Sequence, residues 1–485
     1  MRQVRFDTRT DIESLRRSLQ NGFGINALRI YLYYTWQKLK TSFWFVPALL
    51  IAFAVVLSFV TLKIDESIER QWIEEFGWLY LHDPAGAREL LSTVAGSMIT
   101  VAGVVFSITI VVLTLAANQF GPRLIRNFIQ DKGNQVVLGT FTAIYLYCLL
   151  ILRRIQAMED DVFVPYISVA GGVLLAILGI AVLIYYIHHI AVFIQAETII
   201  NVVSREFHET VNRLFPKALT AAALEKKPNQ DPQVSPTSFL EKSALIKAEQ
   251  SGYIQAVDNQ RLVETAQRSD IFIYLYYPPG RYVIAGTTLA QVWPSERVDD
   301  QLIDAINGCF ILGSQPTPDQ DVEFAIDHLV EIAVRALSPG INDPFTAISC
   351  IDRITTGLGM LTARDLGLPY HYDNDQQLRL ITHPITFPNI ADAAFNQIRQ
   401  HGCTDVVVSI HLLQSIKMIA PLVQRAEDRQ ALWRHATMIC EQSLRHIQQQ
   451  QDRENVAFHY QAAQDELGIE AEDDRNAGVD YGARS

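Results

Sequence analysis

Four long stretches of this sequence contain no Asp, Glu, Lys or Arg: Thr41 to Leu62, Leu90 to Gly121, Gly133 to Leu152, and Val162 to about Ile187. Each is long enough to cross a bilayer core, which takes about 20 apolar residues, so four transmembrane helices are expected. With no ionisable carboxylate, lysine or arginine inside them, proton relays and charge-coupled transport have little support, while neutral pores stay open. Cysteine is scarce as well. Cys148, Cys309, Cys350, Cys403 and Cys440 form no CxxC pair and have no His at ligand spacing, which excludes a sequence-encoded zinc site or disulfide framework. Walker loop, HExxH, GxSxG and dinucleotide fingerprint are all missing, so no catalytic residue and no cofactor is assigned and the chain does not read as an enzyme. Basic residues are outnumbered from His188 onward, 24 Lys or Arg against 38 Asp or Glu, which argues against nucleic-acid binding. The N-terminal region also lacks the h-region and cleavage site of a signal peptide, so it is expected to stay attached.

What is present is a chain of 485 residues, 49% hydrophobic, with that excess concentrated early. Eight Lys or Arg precede residue 43, and Arg123, Arg126 and Lys132 lie in the second loop, whereas acids dominate the first and third loops. Positive loops resist translocation, so both termini of this multi-pass chain are expected in the cytoplasm. The expected segments are an N-terminal stretch 1–40, a transmembrane domain 41–187, a helical stalk 188–225 continuous with the fourth span, a proline-rich linker 226–243, a small β unit 244–297, a helical domain 298–451, and an acidic tail 452–485 too polar to fold alone. His188 and His189 sit at the stalk junction, where interfacial placement of polar rings explains them better than a shared metal, since adjacent helical positions point about 100° apart.

The β unit runs through SGYIQAVD and PGRYVIAGTTLAQV, with strands expected at Gly252–Val257, Ile271–Tyr276, Tyr282–Ile284 and Leu289–Trp293. Its phrasing is similar to the barrel-sandwich folds of biotinyl and lipoyl carriers and of membrane-fusion adaptors. Those carriers need a lysine at a hairpin tip, and Lys247, ahead of the first strand, is the only one nearby. A barrel-sandwich-like fold without a prosthetic group is the expectation.

Two constellations carry the functional reading. In the second span Thr93, Gly96, Thr100, Gly103, Ser107, Ile110, Thr114 and Ala117 recur at alternating steps of three and four, forming one helical seam. Small residues at this spacing let helices approach in lipid, within one subunit or between subunits. The same seam, with Ser97 and then Asn118 and Gln119 at its cytoplasmic mouth, also offers ion-sized polar contacts for a conduit. The second constellation is ALSPGINDPFTA, Ala336 to Ala347. Pro339 disfavours helix at Ser338, Gly340 can take positive φ, and Asp343 before Pro344 is an N-cap, so a helix-to-helix turn is expected. Its alternative is a polar pocket for a small ligand, built from Ser338, Asn342, Asp343 and the free amides of the following helix. Upstream, Glu323, Asp327 and Glu331 share a helix face, read as solvated and too spread for one metal ion.

AGSMITVAGVVFSITIVVLTLAANQFGPRLI, IHHIA, SGYIQAVD and RALSPGINDPFTA together resemble the bacterial predicted membrane proteins catalogued as domain of unknown function 2254, over roughly Lys40 to Gln450. The resemblance implies a location, multi-pass in a bacterial inner membrane, and an architecture, and carries no reaction. The reading is therefore an α-helical polytopic membrane protein of four helices with a cytoplasmic α+β region, a homo-oligomer in the lipid bilayer. As function it suggests a channel or permease-like pore for ions or small solutes, gated by the cytoplasmic domain; the alternative is a membrane-anchored sensor or scaffold.

Overall fold

The computed structural model describes residues 44–67, 84–121, 131–158, 161–216, 242–367, 369–383 and 385–468. The expected N-terminal segment 1–40, the linker to residue 241 and the chain from 469 lie outside the described residues. The chain forms two compact units, one of residues up to 118 with 122–194, the other of residues 119–121 with 195 onward.

The first unit contains four helices long and apolar enough to cross a membrane: α1 (Phe45–Ser67), α2 (Pro84–Phe120), α3 (Lys132–Leu152) and α4 (Tyr166–Phe193). A short antiparallel hairpin, β1 (Gln156–Met158) and β2 (Asp161–Phe163), joins the last two. The 37 residues of α2 extend about 55 Å at 1.5 Å per residue, well beyond a ~30 Å hydrocarbon core. Phe141, Ile144, Tyr147, Cys148 and Ile151 recur at helical spacing on α3 and are fully buried, which makes α3 the central helix. Close approach is set by glycine. A Cβ at Gly139 would fall 2.9 Å from the Pro47 Cα of α1, and one at Gly172 on α4 would fall 2.7 Å from the Leu91 side chain of α2. Leu49, Phe53, Phe59, Leu174, Ile177 and Ile184 face outward, the inverse of a water-soluble bundle and the arrangement that lipid demands.

Asp65 is the buried carboxylate of this unit, one helical turn past the charge-free run that suggested the first span. The fourth helix begins after Pro165, which has no side-chain cap to offer. Asp65 supplies it from across the unit, accepting from the backbone N–H of Ile167 (2.8 Å) and Ser168 (2.9 Å) and from Ser168 Oγ (2.6 Å). Tyr147 extends the polar link, donating to the Ser168 carbonyl at 3.0 Å with Thr61 Oγ1 3.2 Å away.

The second unit opens with α5 (Ala196–Leu214). The continuous stalk expected from the fourth span is interrupted at 194–195, where Gln195 is extended (φ −66°, ψ 129°). Ile199, Ile200, Val203, Phe207 and Val211 form a buried stripe on α5, and this stripe packs against α8 (Val322–Ala336) and α9 (Pro344–Thr362). Burying an apolar stripe explains why the segment joins the second unit instead of standing free. Phe207 fills the notch left by Gly357, where any Cβ would overlap its ring.

Five strands form one mixed sheet in the order β3 (Ala244–Lys247), β7 (Thr288–Trp293), β5 (Phe272–Leu275), β10 (Leu378–Ile381), β9 (Tyr370–Tyr372). A three-stranded sheet has the order β6 (Tyr282–Val283), β4 (Gly252–Val257), β8 (Phe310–Gly313). All four strands expected from Gly252 to Trp293 are present within two residues. Inward residues Ile246, Ile254, Ile273, Leu275, Leu289 and Val292 share a core with α6 (Asn259–Ser269) and α7 (Asp300–Asn307). The span from 298 is not purely helical as expected, because β8 to β10 return to these sheets; β10 pairs in parallel with β5, a long-range contact that local periodicity does not reveal. Lys247 ends the edge strand β3, and its carbonyl accepts from Asn307 Nδ2 at 3.2 Å.

The helical part continues with α10 (Phe387–Gly402), α11 (Val406–Ile419), α12 (Ala426–His446) and α13 (Gln450–Leu467). Asp258, Asp299, Asp321, Asp343 and Asp405 each accept from the backbone amide three residues on, so part of the acidic excess serves as N-caps. The acidic tail expected from residue 452 is instead helical to Leu467. Val456, Ala463 and Leu467 are buried, Thr437 and Tyr460 hydroxyls meet at 3.0 Å, and Arg429 Nη1 donates to the Leu467 carbonyl at 2.7 Å; partners elsewhere in the unit supply the apolar contact that the segment lacks alone.

Candidate functional site

Two stripes at helical spacing run along α2. The first, Leu91, Ala95, Met98, Ala102, Val105 and Val112, is buried inside the four-helix unit. Met98 seats its sulfur 3.0 Å from where a Gly179 Cβ would lie, and Thr109 Oγ1 meets Tyr186 OH at 2.9 Å. The second stripe is the small and hydroxylated seam. Gly96, Ser97, Thr100, Gly103, Ser107, Thr114, Asn118 and Gln119 are all exposed. At 100° per residue the two stripes lie on roughly opposite sides of the helix. A Cβ added at Gly96 or Gly103 would meet nothing within 4 Å. Among the described residues no side chain seats against these two seam glycines, whereas the apolar stripe fits the glycine notches of α4.

The seam hydroxyls are satisfied locally. Ser97 Oγ donates to the Thr93 carbonyl at 2.7 Å, Thr100 Oγ1 to the Gly96 carbonyl at 2.7 Å, and Thr114 Oγ1 to the Ile110 carbonyl at 2.9 Å. Such back-bonding lets a hydroxyl stand in lipid without an unmet donor while its oxygen keeps a lone pair for a passing group. Gln119 to Gly121, the last turn of α2, group with the second unit rather than the first.

Near that end of the membrane unit His189 Nε2 lies 2.7 Å from Asp131 Oδ2, and Asp131 also accepts from Asn134 N at 3.0 Å, capping α3. The histidine expected only as an interfacial ring therefore has a carboxylate partner, made by a contact 58 residues apart that spacing along one helix does not disclose. His188 is exposed.

In the SPGINDP turn Ser338 Oγ donates to the Arg335 carbonyl at 2.6 Å, and Asn342 N to the Ser338 carbonyl at 2.9 Å. Asp343 accepts from Thr346 N at 3.1 Å and Thr346 Oγ1 at 2.6 Å, so the expected cap is formed and both carboxylate oxygens are engaged. The left-handed residue is Asn342 (φ 51°), not Gly340, because asparagine tolerates that region and ends the turn. Pro339 and Gly340 sit on the surface side of the turn with Ile341 (43% exposed) and Phe345 (76% exposed), an apolar pair that the polar motif concealed.

Glu331 pairs with Arg335 at 3.6 Å on the acidic face of α8. Burial pushes the Asp321 carboxyl up to about 6, and it raises Glu323 as well, with Asp321 adding repulsion. Among the described residues no three His, Cys, Asp or Glu side chains gather as a metal site. All five cysteines are free and buried; burial pushes the Cys309 and Cys440 thiols up to about 11, which leaves them unreactive at neutral pH.

Comparison with known proteins agrees with this architecture. Uncharacterized proteins of Mycobacterium bovis and of Mycobacterium tuberculosis are each 29% identical over 431 residues, covering 86% of this chain and 79% of theirs. No solved structure matches the chain. A family model described as predicted membrane protein matches residues 40–418, from just before the first span into α11 of the second unit. The chain belongs to that family, the predicted membrane proteins of DUF2254.

Proposed function

We propose that copies of this chain assemble in the membrane through the outward face of α2, and that the seam from Gly96 to Asn118 lines a narrow pore for ions or small neutral solutes at the shared axis. The observation that carries this reading is the orientation of α2, whose apolar stripe is used inside the four-helix unit and whose polar stripe is exposed among the described residues, open to lipid or to another copy. Small residues allow close approach there, and back-bonded hydroxyls keep oxygen atoms available to a permeant group. The grouping of Gln119–Gly121 with the second unit supports gating by that unit. The charge asymmetry of the loops supports cytoplasmic termini, and the mycobacterial relatives support a bacterial inner membrane.

A second reading has its own support. Because Ser97, Thr100 and Thr114 already satisfy their donors within α2, the face can equally pack copy against copy with no conduit, leaving a membrane-anchored sensor or scaffold. Flux through liposomes containing the purified protein separates the two. A pore requires that Thr100→Val and Ser107→Ala change conductance or ion preference with the oligomer intact. Absence of flux in every ionic condition, together with an assembly that Gly103→Leu weakens and Ser107→Ala does not, supports the scaffold and removes the pore.

A further inference from the structure

A cleft of about 520 Å³ opens in the second unit between α6 and β9, within the range of about 300–1,000 Å³ that small-molecule sites occupy. One helix face supplies one wall: Asn259, Gln260, Val263, Glu264 and Gln267 fall at steps of one, three, one and three along α6. The other wall is Tyr370, His371 and Tyr372 of β9, followed by Asp373 and Asn374. β9 is the last strand of the five-stranded sheet, so this wall is anchored on one side and open on the other.

The chemistry of the lining is one-sided. It contains no Lys or Arg. Burial holds the His371 imidazole below its usual range, so at neutral pH it adds no positive charge; its Nε2 lies 3.2 Å from Thr382 Oγ1. Asp373 is committed to the fold, accepting from Asp375 N (2.9 Å), Gln377 N (2.9 Å) and Arg379 Nε (2.6 Å), and Arg379 is held on its other side by Asp270 at 2.8 Å. Glu264 is different. Among the described residues it accepts only from Gln260 Nε2 at 3.3 Å and Arg268 Nη2 at 3.5 Å, both at the weak end of hydrogen bonding, which leaves acceptor capacity open. Asn259 Oδ1 is shielded from solvent with no partner among the described residues, so the open cleft does not reach it and it adds no acceptor to the lining. Tyr372 stands half-exposed beside them, an aromatic surface available to a cation.

We propose that this cleft binds a small organic cation carrying amine donors, of the polyamine and alkylammonium class, with Glu264 as the charge partner and the β9 tyrosines as aromatic walls. Phosphate-bearing ligands are disfavoured because nothing in the lining neutralises them. The site rests on the cleft alone and stands or falls separately from the pore.

The test uses the full chain in detergent micelles at about 150 mM salt, where charges farther apart than about 8 Å are largely screened. Spermidine is titrated calorimetrically, with choline and adenosine monophosphate as companion probes. The expected result is saturable one-to-one binding of spermidine, weakened about tenfold or more by Glu264→Gln, the loss of one charge-assisted contact worth about 1.4 kcal/mol. Tyr372→Ala weakens it several-fold, while Glu249→Gln on an exposed position elsewhere leaves it unchanged, and matching thermal midpoints show that the variants are folded. Absence of saturable binding by both spermidine and choline overturns the proposal. So does equal affinity in Glu264→Gln, loss of binding in Glu249→Gln to the same degree, or tighter binding of adenosine monophosphate.

Discussion

Gly96 and Gly103 on α2 face open space, whereas Gly172 and Gly179 on α4 are filled by Leu91 and Met98 of the same α2. Both pairs are spaced seven apart in a transmembrane helix, and by sequence they are equivalent. The difference teaches that small residues permit close approach without saying which partner arrives. The α4 notches receive bulky side chains from within the chain; the α2 seam presents its glycines where no neighbour of its own stands. A parallel contrast separates two buried aspartates. Asp65 in the membrane unit has three donors around its carboxylate, while Asp428, on α12 of the second unit, has Arg425 Nη1 at 3.3 Å and an Oδ1 with no partner among the described residues.

The largest way to break this comparison is to remove the side chain that fills a notch. Phe207→Ala should destabilise the second unit by about 3–5 kcal/mol, as expected for truncating a fully buried phenylalanine against Gly357, and chemical denaturation would read it. The sign of a pH effect sharpens the aspartate contrast. Burial pushes Asp428 up to about 6, so the folded form holds its proton more tightly than the unfolded one. Its stabilising contribution is present below about pH 4, the unfolded value, and is lost as pH rises through about 6. The total is at most about 3 kcal/mol, since each tenfold gain in proton affinity on folding is worth about 1.4 kcal/mol. Asp428→Asn should flatten that part of the stability profile between pH 4 and 7, measured by the denaturation midpoint.

Next in size is the glycine pair itself. Gly172→Leu should cost the monomeric membrane unit about 1–3 kcal/mol by overpacking, whereas Gly103→Leu should change monomer stability by less than about 0.5 kcal/mol and act only on assembly, read by cross-linking. Equal losses of monomer stability from both would abolish the distinction between notch and seam. The smallest expected effect lies in the SPGINDP turn. Asp343→Ala removes a two-oxygen cap and should lower stability by about 1 kcal/mol. Asn342→Gly, which keeps the left-handed backbone available, should stay within a few tenths of a kcal/mol.

Much of the helical architecture was legible because hydrophobicity and caps act locally. The absence of charge marked all four spans, and Asp343 before Pro344 announced the start of α9 three residues from the amide it caps. The site was legible only as a pattern. Thr93 to Ala117 drew attention through its polarity, while the interleaved stripe Leu91, Ala95, Met98, Ala102, Val105 and Val112 went unnoticed in a segment apolar all round, where periodicity has no background to stand against. The β9–β10 pair was missed for another reason: three- and four-residue strands carry little periodic signal, and β10 is held by β5 more than 100 residues earlier.

By itself the sequence determined that four segments are long and apolar enough to cross a membrane, where capped helices such as α9 begin, and which helix carries a polar seam, since each follows from transfer free energy and from capping within one turn. Tertiary structure alone decided which stripe of α2 faces inward, that α5 folds into the second unit, that Asp65 caps a helix 102 residues along the chain, and that α6 and β9 border a cleft. These outcomes depend on which surfaces meet, and a helix bearing two stripes of the same period cannot specify its own partner.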